Sequence, residues 1–159
     1  GYLTGYPLEQ LAVLDSAAWL PATLWALTAA LAAAKDALAQ AGDEIVASTD
    51  LYGGSVSLLA HTFKKMGIGV TFVPPNDITA WEKAVTDRTR AFFVETIGNP
   101  KLDIIDIAQI AEVGRRHGIP LVVDNTVATP YLCRPIEHGA DIVIHSLTTC
   151  RASMTPSSM

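Results

Sequence analysis

The chain has 159 residues, of which 50% are hydrophobic and 17% are charged, and its formal net charge at pH 7 is −5. This composition is too apolar for a disordered segment, and the length allows one domain of ordinary size with a hydrophobic core. The excess of acidic residues, without a run of Lys and Arg, argues against a nucleic-acid-binding protein.

The first predicted element is an alanine-rich helix over residues 17–41. Residues 16–34 carry no formal charge, and this length is close to what spans a bilayer. A core helix explains the segment better, because its leucines recur at helical spacing and no basic cluster flanks either end. We therefore expect no membrane association. Cys133 and Cys150 form no disulfide framework, which indicates a reducing compartment such as the cytoplasm.

Apolar runs of strand length then alternate with helical patterns. The predicted strands are 44–48, 68–73, 91–95, 120–124 and 141–145. The predicted helices are 55–66, 78–86 and 107–116. Asp77 and Asp106 are candidate N-caps, and Gly67 and Gly118 are expected to end helices. Such short, nearly unbroken apolar runs predict an α/β fold with a mostly parallel sheet and helices on both of its faces.

Polar residues follow four of these strands at their carboxyl ends. They lie at 49–54, 95–100, 124–126 and 145–148. In open parallel sheets, ligands bind outside the carboxyl ends of the strands. The candidate site is therefore the common edge of these four segments.

The residue types at this edge favour a ring-shaped, phosphorylated ligand. Asp124 ends an apolar strand and needs a partner, which is either an N–H of the following turn or a protonated heterocyclic nitrogen. Tyr52, followed by two glycines, could stack on a ring, and the Asn99 amide could serve a ligand oxygen. Ser146 and Thr148 alternate along one strand face, so both hydroxyls could reach one phosphate.

Other common site types lack their motifs in this sequence. The four histidines are widely spaced and no HExxH occurs, so we expect no metal site. The nucleotide-binding patterns GxGxxG and GxxxxGK[ST] and the hydrolase pattern GxSxG are missing as well.

Six segments between residues 42 and 148 resemble the Cys/Met-metabolism family of pyridoxal-phosphate (PLP) enzymes. They are GDEIVA at 42–47, LYGG at 51–54, ETIGNPK at 95–101, VDNT at 123–126, ATPYLCRP at 128–135 and EHGADIVIHSLT at 137–148. The resemblance implies an incomplete large PLP-binding domain of fold type I, the aspartate-aminotransferase-like fold. It also implies PLP as cofactor, a small amino-acid substrate, and a homo-oligomer that is a dimer or tetramer.

The resemblance implies roles for the residues around the cofactor ring. Tyr52 would stack on the pyridine ring, Asn99 would hydrogen-bond the ring hydroxyl, and Asp124 would pair with the ring nitrogen. Thr126 would lie beside the ring. The ETIGNPK form is most similar to the sulfhydrylases of the family, which implies replacement of the acetoxy group of O-acetylhomoserine by sulfide, with the ring as electron sink.

At the other end of the cofactor, the resemblance implies that Ser146 and Thr148 bind the phosphate. The family motif continues with a lysine that binds PLP covalently, but Thr149 stands at this position. A hydroxyl cannot replace the amine in that bond. We therefore expect no covalent attachment of PLP, and we assign no catalytic residue in this chain.

Both ends of the chain depart from the family pattern. Residues 17–41 lack the expected Ser-Gly turn, and residues 149–159 lack the expected glycine-rich continuation. We therefore predict an atypical helical segment at 1–41, a PLP-binding portion at 42–148 and a non-homologous tail at 149–159, the two ends being products of a frame change or truncation. The alternatives are a lyase acting on cystathionine or methionine, a cystathionine γ-synthase, and a non-catalytic remnant.

Overall fold

The computed structural model describes residues 39–146, and its centre is a five-stranded sheet. The strands are β1 (Glu44–Ser48), β2 (Gly69–Val73), β3 (Thr89–Glu95), β4 (Leu121–Asp124) and β5 (Ile142–Ile144). Their order is β2-β1-β3-β4-β5, and every neighbouring pair is parallel. The predicted parallel α/β fold is therefore confirmed, with each strand starting and ending within two residues of its predicted position.

Four α-helices connect these strands. They are α1 (Gly53–Ser57), α2 (Ile78–Ala84), α3 (Ile107–His117) and α4 (Thr129–Leu132). A π-helical turn, Leu58–Phe63, continues α1, and a 3₁₀ helix, Pro135–His138, follows α4. The sequence predicts neither α4 nor the 3₁₀ helix, and α1 begins two residues before its predicted start.

The two predicted N-caps and the predicted end of α3 are present, whereas α2 ends at Ala84, two residues before its predicted end. The side chain of Asp77 accepts a hydrogen bond from the Ala80 amide, and Asp106 accepts one from the Gln109 amide, both at 3.1 Å. Gly118 follows α3 in the left-handed conformation, with φ of 67°. These bonds satisfy backbone groups that a helix end leaves without partners.

Successive side chains of a strand point to opposite faces of the sheet. Since these strands are nearly continuous apolar runs, both faces of the sheet are hydrophobic. One face packs on α2 and α3, and its core includes Val46, Trp81, Phe92, Val94, Ile110, Leu121 and Val123. The other face packs on α1 and its π-helical turn, and its core includes Ile45, Ala47, Leu58, Leu59, Phe93 and Val122. The prediction of helices on both faces is thus confirmed.

Two predictions fall outside the described residues. The alanine-rich segment at 17–41 lies almost entirely before them, and Thr148 and Thr149 lie after them. Between residues 39 and 146, no helix combines the length and the apolar character needed to cross a membrane.

Candidate functional site

Two carboxylates lie side by side at the carboxyl edge of the sheet. Glu95 ends β3 and Asp124 ends β4, and the two residues are direct partners in the parallel register. By the alternation of each strand, both side chains point to the same face as Phe93 and Val122, which is the face covered by α1. This edge therefore places two carboxyl groups next to each other where β3 and β4 end.

Asp124 adopts the turn-capping arrangement through one of its two oxygens. Its Oδ1 accepts a hydrogen bond of 2.9 Å from the amide of Thr126. Among the residues that the structure describes, no donor reaches the Oδ2 of this half-buried side chain. The second oxygen can therefore still pair with a positively charged or N–H group of a ligand.

Tyr52 lies at the start of α1 with its ring folded back over the helix. About half of the side chain is exposed (48%). A Cβ atom placed on Gly54 would lie only 2.7 Å from Cε1 of the ring, so the observed ring position requires glycine there. The exposed part of the ring offers an aromatic surface at the same sheet edge.

Glu95 is a functional candidate to which the sequence assigns no role. Its side chain is buried, and both of its carboxylate oxygens lie 3.0 Å from the backbone nitrogen of Tyr52. Oε1 also accepts a 3.0 Å bond from the hydroxyl of Ser55. Burial raises the pKa of Glu95 to about 7, the charge of Asp124 adds to the rise, and the two hydrogen bonds oppose it. The only signal in the sequence is a carboxylate that ends an otherwise apolar run.

The loop that carries Asn99 is fixed to the segment before Tyr52. Lys101 Nζ lies 2.8 Å from Oδ1 of Asp50, a carboxylate that is only 6% exposed. The hydrogen bond and charge of Lys101 lower the pKa of Asp50. Gly98 packs so closely that a Cβ atom there would lie 3.0 Å from Cβ of Asp50. Exposed Asn99 is therefore held near the site, although no hydrogen bond joins it to the other candidates within residues 39–146.

Thr126 joins β4 to the end of the described chain. Its hydroxyl oxygen accepts a 2.7 Å hydrogen bond from the backbone nitrogen of Ser146. Next to it, the buried side chain of Asn125 accepts from the Thr96 hydroxyl and donates to the Cys133 carbonyl, both at 2.8 Å. The polar turn after β4 is thus fixed from both sides.

The structure brings four of the predicted residues into one connected set. Tyr52 bonds Glu95, Glu95 pairs with Asp124 in the register, and the Asp124 side chain bonds the Thr126 amide. Thr126 in turn bonds Ser146. Within the described part of the chain, His, Cys, Asp and Glu form no group of three or more that could hold a metal ion.

A parallel α/β sheet with aromatic, carboxylate and hydroxyl groups at its carboxyl edge defines a domain that binds a small ligand there. The family model of the Cys/Met metabolism PLP-dependent enzymes matches residues 8–150. The chain belongs to this family, whose cofactor is PLP.

Individual proteins agree with this assignment. An O-acetyl-L-homoserine sulfhydrylase of Leptospira meyeri is 56% identical over 111 residues, which cover 70% of this chain and 25% of that protein. The structure of a putative O-acetylhomoserine (thiol)-lyase from Campylobacter jejuni, which carries N′-pyridoxyl-lysine-5′-monophosphate, has a TM-score of 0.71 and 36% identity, covering 81% of this chain and 30% of that one.

A cystathionine gamma-lyase from Lactobacillus plantarum, complexed with L-serine, has a TM-score of 0.72 and 37% identity. This match covers 78% of the present chain and 31% of the other. The predicted fold type I is thus confirmed. The chain spans about a quarter of the length of the curated relatives it matches.

The residues at the sheet edge suit PLP. A carboxylate oxygen without a donor, as in Asp124, is the acceptor that a protonated pyridine nitrogen needs. The half-exposed ring of Tyr52 provides an aromatic face for a planar heterocycle. The carboxylate acceptor and the aromatic surface at this edge therefore match the chemistry of the family's cofactor.

Proposed function

We propose that the chain is part of a PLP-dependent transferase that replaces the acetoxy group of O-acetylhomoserine by sulfide, giving homocysteine and acetate. The observation that carries this proposal is the position of Asp124, whose half-buried carboxylate keeps one oxygen without a donor among residues 39–146. The identity of 56% to the O-acetyl-L-homoserine sulfhydrylase of Leptospira meyeri supports the choice of reaction.

Each side chain at the edge has a proposed task. Asp124 holds a proton on the cofactor's ring nitrogen, Tyr52 covers one ring face, and Asn99 binds the ring hydroxyl. Thr126 lies beside the ring. When bound, PLP supplies an electron sink for the negative charge that develops on the amino-acid substrate.

Thr149 limits what this chain does with its cofactor. We propose that Ser146 and Thr148 bind the phosphate, and that PLP is held without a covalent bond because a threonine cannot supply the amine. The division into an atypical segment at 1–41, a PLP-binding portion at 42–148 and a tail at 149–159 belongs to the same proposal. A homo-oligomer and a cytoplasmic location are further expectations.

The substitution Thr149→Lys tests the site directly. We expect the variant to retain PLP after borohydride reduction, with the adduct mapped to position 149 by mass spectrometry, because the family motif has its PLP-binding lysine at this position. The unsubstituted chain should retain none. Thr155→Lys adds a lysine in the tail as a matched control, and equal labelling of the two variants would contradict the proposal.

A second candidate function is a lyase acting on cystathionine. It is favoured by the structural similarity to the Lactobacillus plantarum cystathionine gamma-lyase. Formation of homocysteine from O-acetylhomoserine and sulfide supports the transferase. Release of a thiol from cystathionine, without any reaction of O-acetylhomoserine, supports the lyase. If Thr149→Lys binds PLP covalently but catalyses neither reaction, the chain is a non-catalytic remnant.

A further inference from the structure

The buried carboxylate of Glu95 accepts hydrogen bonds from the Tyr52 amide and the Ser55 hydroxyl. We propose that Glu95 is a positioning residue, which sets the place of the Tyr52 ring by holding the Tyr52 amide and the Ser55 hydroxyl. The proposal rests on the PLP site proposed above, since it concerns the residue assigned to the ring face.

The geometry leaves the Tyr52 backbone little freedom. Its nitrogen lies 3.0 Å from both oxygens of Glu95, and its carbonyl accepts a 3.0 Å bond from the Val56 amide. Glu95 also holds Ser55, which is itself buried in the first turn of α1. One side chain from β3 therefore fixes both the residue that precedes α1 and the first turn of that helix.

The ring of Tyr52 follows from this backbone position. It lies over Gly54, where any side chain would displace it. The bonds to Glu95 fix the backbone, and the missing side chain at Gly54 leaves room for the ring. Removing the Glu95 carboxylate deprives the part-buried Tyr52 amide and the buried Ser55 hydroxyl of their acceptor, and we expect the tyrosine to move with them.

The environment of Glu95 makes this contact measurable. Asp124 faces it from β4, while the Tyr52 amide and the Ser55 hydroxyl face it from the α1 side. Because burial raises the pKa of Glu95 to about 7, its charge changes close to neutral pH. An ionised carboxylate is a stronger acceptor than a neutral acid, so the Tyr52 amide should report the ionisation.

NMR spectroscopy of the full 159-residue chain tests the contact without PLP. We expect the Tyr52 amide signal to shift between about pH 5 and about pH 9, with the same midpoint as the Glu95 carboxyl carbon. Glu95→Gln should abolish this shift but keep the amide protected from hydrogen exchange, because its amide oxygen still accepts. Glu95→Ala should lose both the pH-dependent shift of the Tyr52 amide and its protection from hydrogen exchange. Glu112→Gln, an exposed carboxylate of α3, is the matched control and should behave like the unsubstituted chain.

PLP titration then tests the effect on the ligand. We expect Glu95→Ala to weaken PLP binding about tenfold, because the Tyr52 amide and the buried Ser55 hydroxyl lose their acceptor. Glu95→Gln should restore affinity to within about threefold of the unsubstituted chain, because a neutral acceptor of the same shape remains. A purely electrostatic role would make both variants equally weak, and that outcome would overturn the proposal.

The two proposals fail in different ways. If the unsubstituted chain binds no PLP, the proposed function fails while the NMR experiment still decides the role of Glu95. If the Tyr52 amide shift does not follow the ionisation of Glu95, the positioning role is overturned even when PLP binds. If Glu95→Ala does not fold, the pH titrations of the unsubstituted chain and of Glu95→Gln still decide whether the Tyr52 amide follows the ionisation of Glu95.

Discussion

Glu95 and Asp124 are direct register partners at the carboxyl ends of β3 and β4, and both side chains point to the α1 side of the sheet. Their environments differ. Glu95 is buried, and burial raises its pKa to about 7, whereas Asp124 is half-buried and accepts a bond from the Thr126 amide. Burial therefore favours the neutral form of Glu95, and the charge of Asp124 adds to this effect.

This difference predicts how stability depends on pH. A carboxyl group whose pKa is higher in the folded state than the ordinary 4.5 stabilises the fold at low pH, and this contribution is lost as pH rises through about 7. We expect the free energy of unfolding of the unsubstituted chain to fall by about 3 kcal/mol relative to Glu95→Gln between about pH 4 and about pH 8. Urea unfolding followed by circular dichroism at several pH values measures this.

The same series with Glu112→Gln checks the assignment. Glu112 is exposed and lies next to Arg115 on α3, so its removal should leave the pH dependence as in the unsubstituted chain. A constant difference between the unsubstituted chain and Glu95→Gln across the pH range would show that Glu95 does not titrate in the way that its burial implies.

A second prediction concerns the space above Gly54. Gly54→Ala places a methyl group 2.7 Å from the present position of Tyr52 Cε1, so the ring must turn away. Because alanine also has the higher helix propensity, by up to about 1 kcal/mol, we expect stability to be unchanged or higher. PLP affinity should nevertheless fall about fivefold, because the aromatic contact is lost.

Gly53→Ala is the matched substitution for this experiment. Among residues 39–146, nothing apart from the chain neighbours of Gly53 and the backbone of its own helix lies within 4 Å of a Cβ placed there. We expect a similar gain in stability without displacement of the tyrosine ring. If Gly54→Ala leaves PLP affinity unchanged, then Tyr52 does not contribute its ring to the site.

The ion pair between Asp50 and Lys101 gives a third prediction. Lys101→Met leaves the buried Asp50 carboxylate without its cation, so the urea midpoint at pH 7 should fall further than in Asp50→Asn. The double variant should recover part of that loss, since it removes the unpaired charge. A double variant as unstable as the sum of the two single ones would show that the two groups do not interact.

The pH dependence of this effect has the opposite sign to that of Glu95. Lys101 lowers the pKa of Asp50, so the ion pair contributes stability at neutral pH that is lost as pH falls through the folded-state pKa. The deficit of Lys101→Met should therefore shrink as the pH falls, because protonation of Asp50 removes the charge that Lys101 would pair. Urea midpoints at pH 7 and at acid pH provide the comparison.

Much of the fold is predictable because its signals are local. Strand β1 begins and ends where its apolar run does, and Asp77 and Asp106 cap helices at the predicted residues. The short helices α4 and Pro135–His138 lie in a proline-containing segment without apolar periodicity, so nothing in the sequence indicates them.

The candidate site is predictable only in part. The carboxyl ends of parallel strands place Asp124 and Tyr52 at one edge, as the alternation of strands and helices predicts. At the start of α1, the Tyr52 amide bonds Glu95, which lies 43 residues further along the chain. The link between Lys101 and Asp50 spans 51 residues. Such contacts follow from the folded arrangement, and no local pattern encodes them.

The last prediction concerns the hydrogen bond from the Ser146 amide to the Thr126 hydroxyl, which is 2.7 Å long. Thr126→Val keeps the shape of the side chain but removes the acceptor, whereas Thr126→Ser keeps the hydroxyl. Because Ser146 is a proposed phosphate ligand, Thr126→Val should weaken PLP binding about tenfold and pyridoxal binding much less. Titration with both compounds gives the ratio of the two affinities. A loss of the same size for pyridoxal would show that Thr126 acts only through its proposed place beside the ring and not through Ser146. Unchanged affinity for both compounds would remove Thr126 from the site.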